Sequence, residues 1–182
     1  MTDERAMPVR DVESYDISGP DINKPVRRGD GGTYLVVADE TKEFEVALRY
    51  ASRMAESARG HVCILYVIEM DDVQEWSNVE AIMRHEMRES AEKFIWSVAR
   101  RVNDLNRMIP GLYIREGNHA DVIVDVLNED ETIKMLVLGG GTQSSGPGAL
   151  VTYFTGKGLG RIKIPVLVIP GYLEPQKIDV IS

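Results

Sequence analysis

The sequence predicts an α/β fold, a single domain built on a five-stranded parallel sheet with helices on both faces. Five short runs are aliphatic or β-branched throughout, with no polar alternation, as strands buried on both faces require. Four segments with helical spacing separate them, so the chain reads β-α-β-α-β-α-β-α-β. Parallel strands joined by right-handed crossovers satisfy that order. At 182 residues, 43% hydrophobic and 27% charged, the chain is long enough for one packed core and too short for two comfortable domains.

Each element has its own warrant. Residues 1–32 mix Asp, Pro, Arg and Gly without an apolar period and read as a flexible N-terminal arm. The first strand is Thr33 to Ala38. Apolar positions from Phe44 through Ala47, Leu48, Ala51, Met54, Ala55 and Ala58 lie on one helical face, and Gly60 stops the helix. The second strand, His61 to Ile68, is followed by the acidic linker Glu69 to Glu75. Ser77 and Glu80 have the spacing of a capping box. The helix they open carries Met87, Ala91, Phe94, Ile95, Val98, Val102 and Leu105 and is stopped by Pro110-Gly111. Leu112 to Glu116 is the third strand. Gly117 turns the chain, and Asn118 suits the N-cap of a helix with Val122, Ile123, Val126 and Leu127 inward. Lys134 to Leu138 is the fourth strand, Gly139 to Gly148 a loop, and Ala149 to Arg161 a helix weakened by three glycines. Ile164 to Ile169 is the fifth strand. After Pro170-Gly171 a polar C-terminal tail, residues 172–182, closes the sequence.

Composition narrows the function classes. With 21 basic and 29 acidic residues the net charge is −8 and no basic cluster stands out, which disfavours nucleic acid and anionic membrane as partners. The single cysteine, Cys63, has no internal disulfide partner, and three scattered histidines supply no zinc pattern. No apolar run approaches the length of a membrane span, and no signal-peptide pattern opens the chain, so a cytoplasmic location is expected. Cys63 lies mid-strand and reads as a packed thiol. Nine of the 16 glycines fall between Gly139 and Gly171. A glycine-rich passage from strand to helix exposes backbone N–H groups that can hold an anion, or simply makes a tight turn.

Known phosphate fingerprints fail on spacing. A Walker A loop ending at Gly156-Lys157 needs Gly at 151 and Ser or Thr at 158, where the chain has Val151 and Gly158. A dinucleotide fingerprint from Gly139 meets Ser144, and one from Gly146 meets Val151, where glycine or alanine is needed. In parallel sheets of this kind ligands bind beyond the carboxyl ends of the strands, where strand order reverses. The loops after the first and fourth strands are therefore the candidates.

Val36-Val-Ala-Asp39 before a helix, Leu65-Tyr-Val-Ile68, Gly117-Asn-His-Ala120, Leu136-Val-Leu-Gly139 and Ile164-Pro-Val-Leu-Val-Ile169 together resemble the universal stress protein A family over residues 33–171. The resemblance implies a Rossmann-like, adenine nucleotide alpha hydrolase-like sheet in strand order 3-2-1-4-5. It also implies a homodimer through the last strand, Val166 to Ile169, and in one branch bound ATP. That branch carries Gly-x-x-Gly, nine residues, then Gly and Ser or Thr after the fourth strand. Counted back from Pro165, those positions fall on Gly139, Thr142, Thr152 and Tyr153, so only the first glycine is matched. Gly140 and Gly141, with Ser144, Ser145, Gly146 and Gly148, supply material for a different anion cradle.

Asp39 matches the family's acidic residue beside the adenine or ribose, and by itself also suits a cap for the helix starting near Glu43. Val67 matches a position beside the adenine, and by itself is a core valine. The expected nucleotide site is thus Asp39, Val67, Gly139, Gly140, Gly141, Thr142, Thr152 and Tyr153, with ATP or AMP as ligand. His119, beside Asp121, reads as a surface histidine in the first turn of a helix. Asp71, Asp72 and Glu75 read as a solvated linker rather than a metal site, and Trp76 as a staple for the helix that follows. No nucleophile–base pair is identified, so the expectation is a non-enzymatic stress-response regulator, the alternative being a nucleotide-independent dimeric interaction scaffold.

Overall fold

The computed structural model describes residues 31–69, 77–142 and 146–181. Its strands are β1 (Thr33–Val37), β2 (His61–Ile68), β3 (Gly111–Glu116), β4 (Ile133–Gly140) and β5 (Val166–Pro170), all parallel and ordered β3-β2-β1-β4-β5. The helices are α1 (Lys42–Ala58), α2 (Ser77–Asn106), α3 (His119–Glu129), α4 (Ala149–Phe154) and α5 (Pro175–Ile181), with a 3-10 turn at Leu159–Arg161. The expected sheet order is thus the observed one. The arm up to residue 30, the linker carrying Asp71, Asp72, Glu75 and Trp76, and the side chains of Ser77 and Glu80 lie outside the described residues.

Successive residues of β1 serve opposite faces, as the pleat dictates. Tyr34 and Val36 pack with Phe44, Leu48, Ile95 and Val98 under α1 and α2, whereas Leu35 and Val37 pack with Ile123, Val126, Val151 and Phe154 under α3 and α4. Both sheet faces are therefore covered, which explains why the strands carry no polar alternation.

Local chemistry sets the helix ends. The α1 N-cap is Thr41, whose hydroxyl oxygen accepts from the Phe44 N–H at 3.1 Å. The expected cap, Asp39, stands two residues earlier and acts through Thr41. Its Oδ1 accepts both the Thr41 N–H (2.8 Å) and the Thr41 hydroxyl (2.6 Å). Asn118 caps α3 as expected, with its side-chain oxygen accepting from the Ala120 and Asp121 amides at 3.0 and 3.3 Å.

Three segments differ from the sequence expectation. Strand β4 runs two residues into the glycine cluster, with Gly139 paired to Ile169 and Gly140 to Pro170, so the loop starts later. The helix expected over 149–161 ends at Phe154, because Gly156, Gly158 and Gly160 withdraw helix propensity and the chain turns instead into the 3-10 segment. Residues 175–181, within what reads as a polar tail, form α5. Its Ile178 is fully buried near Leu48 of α1 and Leu105 of α2. Asp179 accepts from Arg49 at 2.6 Å and from Arg53 at 3.1 Å. Those bonds, led by Arg49, hold its carboxyl below the ordinary range. A single buried isoleucine and one acidic residue matched to two arginines on α1 are too sparse a pattern for periodicity to detect.

Candidate functional site at the carboxyl ends of β1 and β4

The sheet order places β1 beside β4, with the helix after β1 packed on one face and the helix after β4 on the other. The two connections leave in opposite directions and open a crevice at the carboxyl ends. A cavity of about 500 Å³ lies there. Its apolar lining includes Val37, Phe44, Leu138 and Val151, and its polar lining includes Asp39, Thr41, Glu69, Asn118, His119 and Tyr153. A second cavity of about 400 Å³, which Val67, Tyr66 and Met87 help to line, shares Ala38, Asp39, Glu69 and His119 with the first.

The structure brings together only some of the expected site residues. Asp39, Gly139 and Tyr153 line the main cavity, and Val67 the adjoining one. Gly140 packs against Val168 and its carbonyl accepts from the Gly171 N–H at 2.9 Å. The Gly141 amide donates to the Pro147 carbonyl at 3.1 Å. Thr142 is exposed, and Thr152 is exposed with its hydroxyl turned back to the Gly148 carbonyl at 2.9 Å. These four are absent from the cavity lining, where β4 continues through Gly140 and the Gly141 amide bonds back to its own loop.

Gly139 has a packing reason of its own. A Cβ there would fall inside the Glu43 peptide group at the start of α1, so glycine is what lets α1 close over β4. Tyr153 is held on several sides. Its ring stacks edge-on against Phe154 with centroids 5.0 Å apart and lies over Gly158, where a Cβ would overlap the ring. Its hydroxyl oxygen accepts from Arg161 Nη1 at 2.7 Å, and Lys157 Nζ stands 5.5 Å from the ring centroid. Arg161 Nη1 also reaches Asp121 Oδ1 at 2.7 Å, tying the turn after α4 to the first turn of α3. Asp121, then Tyr153, raise the guanidinium pKa above its ordinary value.

Sequence reasoning leaves out Thr41, Phe44, Glu69 and Asn118, and treats His119 as surface only. His119 Nδ1 stands 3.6 Å from Glu69 Oε1 on the rim. One signal was available: each of these residues lies in a strand-to-helix connection or the first turn beyond it, the end of the sheet where ligands collect. Cys63 is fully buried, and burial pushes its thiol well up, as befits a packed residue. Among the described residues no group of three or more His, Cys, Asp or Glu could hold a metal, and no helix is long and apolar enough to cross a membrane.

A family model described as the universal stress protein family matches residues 33–170. The chain belongs to the universal stress protein family. Solved structures agree on the fold. A universal stress protein from Lactobacillus plantarum shares 18% identity at a TM-score of 0.61, covering 76% of this chain and 97% of its own. One from Burkholderia pseudomallei shares 19% at 0.55, covering 76% and 96%. One from Archaeoglobus fulgidus shares 17% at 0.53, covering 78% of this chain and 50% of its own. No match is found among curated protein sequences. Thr142 and Thr152 stand where the resemblance implies glycines, and Tyr153, next to the second, is contacted by Arg161 and Lys157.

Proposed function

We propose that this universal stress protein is a non-enzymatic stress-response regulator that takes an adenine nucleotide, ATP or AMP, as a regulatory ligand in the crevice between β1 and β4. The cavity at the strand-order reversal carries this reading. Its volume of about 500 Å³ suits a small molecule, and an apolar floor rimmed by a few polar groups suits a base and a sugar. Asp39 Oδ1 is committed to Thr41, which leaves Oδ2 for a ligand hydroxyl or amino group. The Thr41 hydroxyl donates to Asp39 and accepts from the Phe44 amide, so it serves as a cap rather than as a nucleophile.

Equilibrium dialysis of the full chain against ATP and against AMP is expected to show binding below millimolar for at least one of them, without turnover. Asp39→Ala should weaken it by about tenfold or more, the loss of a hydrogen bond to a charged group. A thermal melt would show that the variant stays folded. Failure of both nucleotides to bind would leave the dimeric scaffold.

That second reading has its own observation. Among the described residues strand β5 pairs with β4 alone, leaving its other edge without a strand, and Val166, Leu167 and Val168 are only half-buried. Such an edge invites self-pairing. Light scattering at tens of micromolar should give a dimer mass, and Val168→Lys should return the monomer. A monomeric wild-type chain would remove this reading.

A further inference from the structure

We infer that residues 171–181, just outside the family-matched span, are a strap that holds the crevice-side end of α1 on the sheet, so that docking of α5 and ligand binding in the crevice favour each other. The ligand half of this rests on the nucleotide reading above. Helix α1 reaches the crevice through its N-terminal end. Asp39 and Thr41 lead into it and Phe44 lies in its first turn, and all three line the cavity. The chain leaving β5 passes beside that end. The Gly171 N–H donates to the Gly140 carbonyl at 2.9 Å, and a Cβ at Gly171 would meet the Glu43 side chain. Leu173 then packs against the core on the α1 side of the sheet. Farther on, α5 sets Asp179 against Arg49 and Arg53, and Ile178 beside Leu48 of α1 and Leu105 of α2.

The strap is held loosely. Ile178 is the one buried residue of α5. A cavity of about 430 Å³ stays open beside it, walled by Leu48, Leu105, Leu173 and Pro175, so the groove between α1 and α2 is only partly filled. Arg49, Arg53 and Asp179 are each more than a quarter exposed, and ion pairs that exposed add little stability. Seven residues are too few to stay helical without a surface to lie on. The segment is therefore either docked and helical or released and unfolded, and a small free energy separates the two. Release takes both contacts off α1 and loosens the wall that carries Asp39 and Thr41. A ligand that needs this wall in place binds the docked state better, and by linkage it favours docking in return.

Hydrogen exchange of the full chain, followed by mass spectrometry, tests the strap without any ligand. Ile178→Asn should release the amides of 176–181 and speed exchange across 42–50 by about fivefold or more, and Asp179→Ala should do so in part. Helix α3, packed on the opposite face, should keep its rate. An α5 that is released while α1 stays protected would overturn the inference. So would an α5 that stays protected in both variants, and so would exchange rising equally in α3, which would make α5 a general stabiliser. Equilibrium dialysis supplies the ligand half. Whichever of ATP and AMP binds the wild type should bind Ile178→Asn about fivefold or more weakly, and should slow exchange at 176–181 in the wild type. Unchanged affinity in a variant whose α1 has loosened would overturn the coupling and leave the nucleotide reading standing. If neither nucleotide bound the wild type, the nucleotide reading would fall and the ligand half with it, and exchange alone would decide the strap.

Discussion

Replacing Gly139 by alanine should destabilise the protein by about 1–3 kcal/mol, the usual cost of forcing a group into packed space, and valine should cost more. The new Cβ would meet the carbonyl carbon and oxygen of Glu43, which are backbone atoms near the start of α1 and cannot rotate away. Helix α1 would have to lift from β4. Phe44, Ala47 and Leu48, which bury its inner face, would lose packing with it. Urea denaturation checks this through a lowered midpoint at unchanged slope. On the nucleotide reading proposed above, affinity should fall together with stability, because Asp39 and Thr41 lead into α1. Loss of binding at unchanged stability would instead show that Gly139 serves the ligand directly.

Asp130→Ala should cost about 2–4 kcal/mol, since it strips the acceptor from several donors at once in a buried place. Asp130 is 3% exposed, at the turn between α3 and β4. Its Oδ2 accepts the Tyr113 hydroxyl at 3.2 Å, and its Oδ1 accepts the Thr132 N–H at 2.9 Å and the Thr132 hydroxyl at 2.6 Å. Thr132 in turn contacts Thr33 at the start of β1, hydroxyl to hydroxyl at 3.1 Å. Burial and then the Asp130 charge push the Tyr113 phenol up, so it stays a neutral donor at ordinary pH. One carboxylate thus ties β3, β4 and β1 together at the end of the sheet remote from the crevice. Asp130→Asn, which keeps an acceptor for the Thr132 amide, should lose less than alanine does. Chemical denaturation of the two variants beside wild type measures the difference.

Most of the fold could be read from the chain, and the reason is local. A strand buried on both faces announces itself as an unbroken aliphatic run, as Val62-Cys63-Ile64-Leu65 does, and a helix with one buried face repeats its apolar residues every three or four positions, as α1 does. Asn118 was legible as a cap because capping chemistry acts within three residues. Asp39 shows the limit of that reach. It was recognised as belonging to the start of α1, but whether it caps the helix or supports Thr41 depends on two residues of backbone path.

The candidate site was legible only in outline. Its position followed from strand order, and Asp39, Val67, Gly139 and Tyr153 do lie around the two cavities. Glu69, Asn118 and His119 come from the connections after β2 and β3, which a search confined to the loops after β1 and β4 passes over. Gly139 and Gly140 looked like loop and are strand, because pairing with Ile169 and Pro170 overrides the low strand preference of glycine.

The sequence by itself determined the fold class, the alternation of strands and helices and the end of the sheet where a ligand would collect, since these depend on periodicity and on chirality rules that hold for any parallel sheet. Only the tertiary structure decided what the glycine-rich segment does. Gly139 serves helix packing, Gly141 bonds back to its own loop, and Tyr153 is braced by Arg161 and Lys157. It also turned the apparent tail into α5, docked by Ile178 and Asp179 on α1. The physical reason is the same in each case. A glycine or a lone isoleucine acquires its role from the atoms that approach it, and those atoms come from parts of the chain far away in sequence.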